Sequence, residues 1–180
     1  MPDPRELRTA RLKGRPPQRG DLDRYLTLLT APEVTAWLRP APLRPFTAEE
    51  VRHALERDVR RWSNDGFGPW VLDLAGEPVG RAGLASSTVG GDEVVELVWT
   101  IAPRLWGRGL ATEAAEAAVR LAGALGLPDV VAVTLPENRA SRRVMEKAGL
   151  TFDGAVVHAG LPHVRYRRTL IRSTPRGAPG

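Results

Sequence analysis

Apolar residues along this chain recur at two periods, and the changes between them mark out the elements. Residues 7–12 read as a first strand, after which Arg15, Pro16 and Pro17 break the pattern. Leu22, Tyr25, Leu26 and Leu29 then repeat at helical spacing and predict a helix over 21–30. Val34 and Trp37 mark a short second helix over 33–38, and the proline-rich stretch 40–45 reads as a linker. Thr47 and Glu50 have the spacing of a capping box, in which each side chain satisfies an orphan backbone N–H at a helix start. The helix that follows places Val51, Leu55, Val59 and Trp62 on one face and Arg52, Arg57, Arg60 and Arg61 on the solvated side, and it ends at Asn64, Gly66 and Gly68.

Three apolar runs come next, at 70–74, 79–85 and 94–101, with turn residues at 76–78 and 90–92, as in an antiparallel meander. From Leu110 the period lengthens: Leu110, Ala114, Ala117, Leu121 and Leu125 predict a helix that stops at Gly126 and Pro128. Residues 130–135 return to strand. A last helix starts at Asn138, carries Ala140, Val144 and Ala148 on its stripe and is capped by Gly149. Closing strands are expected at 151–157 and 164–171 with Gly160 and Pro162 in their turn, followed by a flexible tail at 173–180. One domain over residues 1–172 accommodates all of this, since 180 residues suffice for one full core and would cramp two.

Composition narrows the chemistry. Cysteine is absent, which excludes disulfides, thiolate nucleophiles and sulfur-ligated metals. The three histidines, His53, His158 and His163, include no i, i+4 pair of the zinc-protease kind, so no metal is expected. No apolar run approaches the ~20 residues that span a bilayer, and residues 1–8 lack the apolar stretch of a secretory leader; a cytoplasmic, membrane-free protein is expected. The formal charge of +5 is compatible with an anionic partner. Nearly all of it is arginine, however, which biased coding composition supplies as readily as phosphate recognition does. Aromatics make up 6% and are scattered, which argues against an RNA reader that stacks bases.

The stretch Arg104, Leu105, Trp106, Gly107, Arg108, Gly109 joins a β-rich run directly to an amphipathic helix. Its glycines let backbone N–H groups approach a ligand, and the helix beyond offers its positive end to an anion, so a pyrophosphate suits it. A tight strand-to-helix connection is the plainer alternative. The dinucleotide fingerprint is excluded because Thr112 stands where the third glycine belongs, and the Gly-Lys-Ser/Thr of a P-loop is missing.

Arg104, Gly107 and Gly109 resemble the cofactor signature of the GNAT acetyltransferases, Gln/Arg-x-x-Gly-x-Gly/Ala. Trp70, Gly80, Gly83, Glu96, Pro103, Trp106, Glu113, Asn138, Ser141 and Gly149 add matches in the order found in the branch of ribosomal-protein N-acetyltransferases. The likeness spans residues 8–170. It implies an α+β fold in which a central, mostly antiparallel, splayed seven-stranded sheet is flanked by four to five helices. It also implies an N-acetyltransferase that carries the acetyl group of acetyl-CoA to a primary amine of a protein N-terminus or small molecule, acting as a monomer or homodimer. The pantetheine arm would lie along Trp99, Thr100 and Ile101; the phosphates would meet Arg104, Trp106, Gly107, Arg108, Gly109, Leu110, Ala111 and Thr112, with Asn138, Ser141 and Arg143 completing the cofactor set.

Glu96 is the expected base, a carboxylate inside an apolar strand on the face shared by Val98 and Thr100; a solvated residue near a sheet end is the plainer alternative. Seven positions after Asn138, where many members carry the tyrosine that protonates the leaving thiolate, stands Met145. Ser141, Tyr166 or water is left to supply that proton. Residues of the early helices, the 40–45 linker and the last hairpin, including His158 and His163, would border the acceptor. The competing readings are a coenzyme A-binding sensor without turnover and a ribosome- or RNA-associated binding module.

Overall fold

The computed structural model describes residues 3–170; the tail expected at 173–180, and Ile171 at the end of the last expected strand, lie outside them. The single strand expected over 7–12 is a hairpin of two, β1 (Leu7–Arg8) and β2 (Leu12–Arg15). Thr9 causes the reversal: its N–H donates to the Leu12 carbonyl at 3.0 Å, and its hydroxyl oxygen accepts from the Leu12 N–H at 2.9 Å. Leu7 is thereby folded opposite Gly14. The chain breaks at Pro16, one residue later than expected, because Arg15 still belongs to β2.

Three helices follow, α1 (Leu22–Leu29), α2 (Pro32–Leu38) and α3 (Ala48–Asn64). The capping box forms as the spacing requires: the Glu50 N–H donates to Thr47 Oγ1 at 3.2 Å and the Thr47 N–H to Glu50 Oε2 at 2.8 Å. The buried stripe of α3 is Val51, Leu55, Asp58 and Trp62. It thus differs from the expected one at a single place, where Asp58 goes under and Val59 stays half-covered. Next come β3 (Pro69–Leu74), β4 (Glu77–Val89) and β5 (Asp92–Ile101), an antiparallel meander. The chain continues through α4 (Leu110–Ala124), β6 (Asp129–Thr134), α5 (Arg139–Lys147), β7 (Thr151–His158) and β8 (Leu161–Thr169). Pro162, expected in the last turn, already belongs to β8.

The strands form one sheet in the order β1-β2-β3-β4-β5-β6-β8-β7. Among the described residues it has eight strands rather than seven, the extra one coming from the split first segment. All neighbours are antiparallel except β5 and β6, whose parallel pairing consists of one register pair, Glu96 opposite Val131. The α+β architecture, with five α-helices among the described residues, is the expected one, and the sheet is parted on the C-terminal side of that pair.

Alternation of side chains along the strands sends Ala82, Leu84, Leu97 and Ile101 to one face, where they pack with Leu110, Ala114, Ala118 and Ala122 of α4. Small alanines let α4 approach the sheet closely. Its buried side also takes in Ala115 and Val119, whereas Ala117 and Leu121 are half-covered and Leu125 is exposed, so the helix is rotated from the expected stripe. The α5 stripe is likewise shifted: Met145 and Ala148 are buried and Ala140 is exposed. On the opposite face Tyr25, Leu29, Val51, Leu55 and Val71 join α1 and α3 to the sheet. Each fully buried Leu or Val contributes roughly 1.5–3 kcal/mol, and the two clusters clamp the meander from both sides. Among the described residues no helix is long and apolar enough to cross a membrane.

Candidate active site

A cavity of about 570 Å³ opens where β5 and β6 part. Glu96, Val98, Trp99, Thr100 and Ile101 form its wall on the β5 side, and Val133, Thr134 and Leu135 form the wall across the gap. With β5–β6 pairing confined to Glu96 and Val131, the facing edges of the two strands beyond that point border the cavity instead of each other, while their outer edges stay bonded to β4 and β8. An extended ligand with amide groups can bond there.

The expected phosphate loop lies at one end of this gap. Pro103–Leu105 form a short 3-10 turn, after which Gly107 and Gly109 adopt φ of 76° and 78°, left-handed conformations natural to glycine. Gly109 is the N-cap of α4 and no side chain caps that helix. The first-turn N–H groups of Leu110, Ala111 and Thr112, all cavity-lining residues, therefore remain open to an anion. Trp106 latches the loop by donating from Nε1 to the Ile101 carbonyl at 2.7 Å. Arg104 and Arg108 do not line the cavity. Arg104 donates from Nη2 to the Pro78 carbonyl at 3.2 Å, and the Arg108 carbonyl accepts from Arg11 Nη1 at 2.8 Å.

Arg11 and Glu113 brace the loop from behind. Glu113 Oε1 accepts from the Thr9 hydroxyl and from the Arg11 N–H, and Oε2 accepts from Arg11 Nε at 2.7 Å. Burial pushes the Glu113 carboxyl up, but the hydrogen bonds from Thr9 and Arg11 outweigh it and leave the group below its ordinary value. The hairpin turn between β1 and β2 is thereby tied to the first turn of α4. Nothing local in the sequence announces this pairing, since the partners lie about a hundred positions apart.

The face of β5 turned toward α1–α3 carries Glu96, Val98 and Thr100, with Arg81 of β4 in register with Thr100. Glu96 is half-buried and lines the cavity. Arg81 is held by Asp58, whose Oδ2 accepts from its Nε at 2.9 Å and lies 2.7 Å from its Nη2. The same oxygen accepts from the Tyr25 hydroxyl at 2.8 Å, while Oδ1 accepts from Arg61 Nη1 at 2.8 Å. Burial lowers the proton affinity of Arg81, yet the Asp58 charge reverses this and holds the guanidinium firmly protonated. Burial likewise pushes the Tyr25 phenol far up, so it stays a donor. The sequence did carry a signal for Asp58: it completes the 51–55–58–62 helical spacing as an acid among apolar residues.

On the far side, Asn138 caps α5 by accepting the Ser141 N–H at 3.1 Å, and Asn138, Ser141 and Arg143 all line the cavity. Lys147, which sequence reasoning missed, stands one turn after Arg143 and lines it too. Tyr166 does not. It is buried, accepts from Arg142 Nε at 3.2 Å and donates to Glu146 Oε1 at 3.2 Å. Met145 is buried in the core rather than facing the gap. From the other segments expected near an acceptor, α2 contributes Trp37 and Leu38, the linker Leu43, and the last hairpin His158 and His163, whose rings meet edge to face at 5.4 Å. Among the described residues no group of three or more His, Cys, Asp or Glu could hold a metal ion.

Residues 11–151 match the family model described as the acetyltransferase (GNAT) domain. The chain belongs to the GNAT acetyltransferase family. Over 121 residues it is 36% identical to the FsC-acetyl coenzyme A-N(2)-transacetylase of Aspergillus fumigatus, a match covering 60% of this chain and 49% of that protein, so the chain spans about half that relative's length. An acetyltransferase from Agrobacterium tumefaciens superposes on this GNAT domain with a TM-score of 0.78 at 29% identity, covering 91% of this chain and 93% of the other. The RimL ribosomal L7/L12 alpha-N-protein acetyltransferase in complex with coenzyme A is similar in fold, with a TM-score of 0.70 at 14% identity over 90% of this chain and 96% of that one.

Proposed function

We propose that this GNAT domain is an acetyl-CoA-dependent N-acetyltransferase acting on a primary amine of a small molecule or protein N-terminus. The observation that carries the reading is the gap between β5 and β6, which runs into the uncapped first turn of α4. An acyl-pantetheine arm needs unpaired strand backbone beside it and N–H donors at its diphosphate end, and the cavity borders on both. The name of the Aspergillus relative, an acetyl coenzyme A transacetylase, supports the same chemistry.

Acetyl-CoA supplies the acetyl thioester. In this reading Gly107, Gly109 and the N–H groups of Leu110, Ala111 and Thr112 bind the diphosphate, with Trp106 holding the loop and Arg143 adding charge; Arg104, bonded to the Pro78 carbonyl, and Arg108, outside the cavity lining, are left out of it. Trp99, Thr100 and Ile101 orient the arm, and Asn138 fixes the start of α5 so that Ser141 faces the cavity. The amine must be neutral when it attacks. As the N–C bond forms and the C–S bond breaks, Glu96 takes the amine proton and the Ser141 hydroxyl protonates the departing sulfur, regaining its proton from water. Tyr166, which lies outside the cavity lining with its hydroxyl bonded to Arg142 and Glu146, takes no part in this reading.

Thiol release from acetyl-CoA in the presence of an amine panel tests the reading. Gly109→Glu puts a side chain at φ 78°, a conformation that L residues rarely adopt, facing Arg11 behind the loop; by distorting the loop it should abolish acetyl-CoA binding by calorimetry while leaving the circular dichroism spectrum intact. Glu96→Gln should keep the affinity and lower kcat about 10²–10⁴-fold. Full affinity in Gly109→Glu, or an unchanged pH–rate profile in Glu96→Gln, removes the corresponding assignment.

A further inference from the structure

Apolar surface on this protein is concentrated in one place. Of the seven large apolar side chains exposed among the described residues, four (Trp37, Leu38, Leu43 and Trp106) line the cavity between β5 and β6. Trp106 belongs to the cofactor loop; the other three come from α2 and the linker behind it. Large apolar groups gathered in a concave site, while the remaining exposed ones are scattered, mark a surface meant to be covered.

The charges of the lining have the opposite distribution. Its one carboxylate is Glu96, against the cations Arg81, Arg143 and Lys147. Arg81 is engaged by Asp58, and that cluster still carries net positive charge because Arg61 shares the same carboxylate. Only one ammonium can therefore be matched by a carboxylate in this cavity. A second ammonium on the same acceptor would lose water against Trp37, Leu38 and Leu43 with no anion to replace it.

We infer that the acceptor is a small primary monoamine carried on an apolar body, alkyl or aryl, whose nitrogen is drawn to Glu96 while its body lies against Trp37, Leu38 and Leu43. This rests on the acetyl-transfer reading of the cavity. It separates the protein from polycationic acceptors such as aminoglycosides and polyamines, and from peptide N-termini, which bring a polar backbone against the same apolar side.

Two measurements test it separately from the transfer reading. Thiol-release kinetics at saturating acetyl-CoA compare 2-phenylethylamine and hexylamine with spermidine, kanamycin and a seryl hexapeptide; calorimetry measures the same amines binding to the coenzyme A-loaded protein. The apolar monoamines should have kcat/KM values about tenfold or more above the others, the scale of burying one or two methylenes each worth about 0.8 kcal/mol. Trp37→Ala and Leu43→Asp should each raise the KM for phenylethylamine about tenfold while the KM for acetyl-CoA stays constant, and Trp37→Phe should restore most of the loss. Preference for spermidine, kanamycin or the peptide, or an amine KM indifferent to both substitutions, overturns the inference and leaves acetyl transfer standing. Tight, Trp37-dependent binding of phenylethylamine without thiol release removes the transfer reading, and with it the monoamine's role as acceptor, while keeping the apolar amine subsite.

Discussion

Asp58 holds three groups at once, Tyr25, Arg61 and Arg81, with its side chain 2% exposed. Removing it would strand the Arg81 guanidinium beside the cavity without its counter-charge. Breaking a buried pair by deleting one partner costs about 3–5 kcal/mol, since the remaining ion stays desolvated. Asp58→Ala should therefore lower the unfolding free energy by that amount in urea titrations, and the double variant Asp58→Ala, Arg81→Met should recover part of it. A double variant no more stable than the single one would mean that Arg81 finds water when Asp58 is gone. At this scale, what could be read in the sequence was local. The glycines of the loop, the Asn138 cap and Glu96 on its strand all follow from neighbours a few positions away. Asp58 and Arg61 meet at i, i+3 spacing on one helix, but the Arg11–Glu113 brace and the bonds from Asp58 to Arg81 and Tyr25 join residues far apart in the chain, and no spacing rule reports those.

The short connection between α2 and α3 is tied down by one carboxylate. Glu50 accepts from Arg44 at 2.8 Å and from Arg39 at 3.1 Å in addition to its capping bond with Thr47. The Arg44 hydrogen bond, with help from the Thr47 N–H, lowers its carboxyl from 4.5 to about 2. A carboxylate whose folded value lies below its unfolded one stabilises the fold fully above the unfolded value, and loses that contribution as pH falls through the folded one. The stability gap between the native protein and Glu50→Gln should thus be constant above about pH 4.5 and close as the pH approaches 2. Urea midpoints measured across that interval check it, and parallel curves down to pH 2 would show that Glu50 carries no such linkage. Most elements were legible from period alone because strands and helices here have different apolar spacing. The rotation of α4 was not: Glu113, Glu116 and Arg120 mark a polar side, but Ala114, Ala115, Ala117, Ala118, Val119 and Leu121 spread apolar surface over more than half of the circumference, so the sheet chooses which part of it is buried. The first strand divides where the sequence carries no turn signature, because the Thr9 bonds that fold it back depend on Leu12, an apolar residue.

At the scale of the whole molecule, the sheet is two antiparallel parts joined through one parallel pair, Glu96 and Val131, with β1 to β5 on one side and β6 to β8 on the other. Both helical layers hold the β1–β5 part, whereas between β5 and β6 the backbone beyond the single pair has no ladder. Those amides in the C-terminal halves of β5 and β6 that point into the gap should accordingly exchange with deuterium faster than the alternate ones in the same segments, which are bonded to β4 and β8. A ligand threaded into the gap couples the two parts. At a concentration a hundredfold above its Kd, acetyl-CoA would add about 2.7 kcal/mol, or roughly 5–10 °C in Tm for a domain of this size. Exchange should slow in the same segments, because the ligand's amides take the place of the missing strand. The two readouts belong together. A Tm rise with exchange unchanged along β5 and β6 would put the ligand elsewhere on the surface, while protection there that survives Gly109→Glu would mean that the arm, and not the diphosphate, supplies most of the affinity.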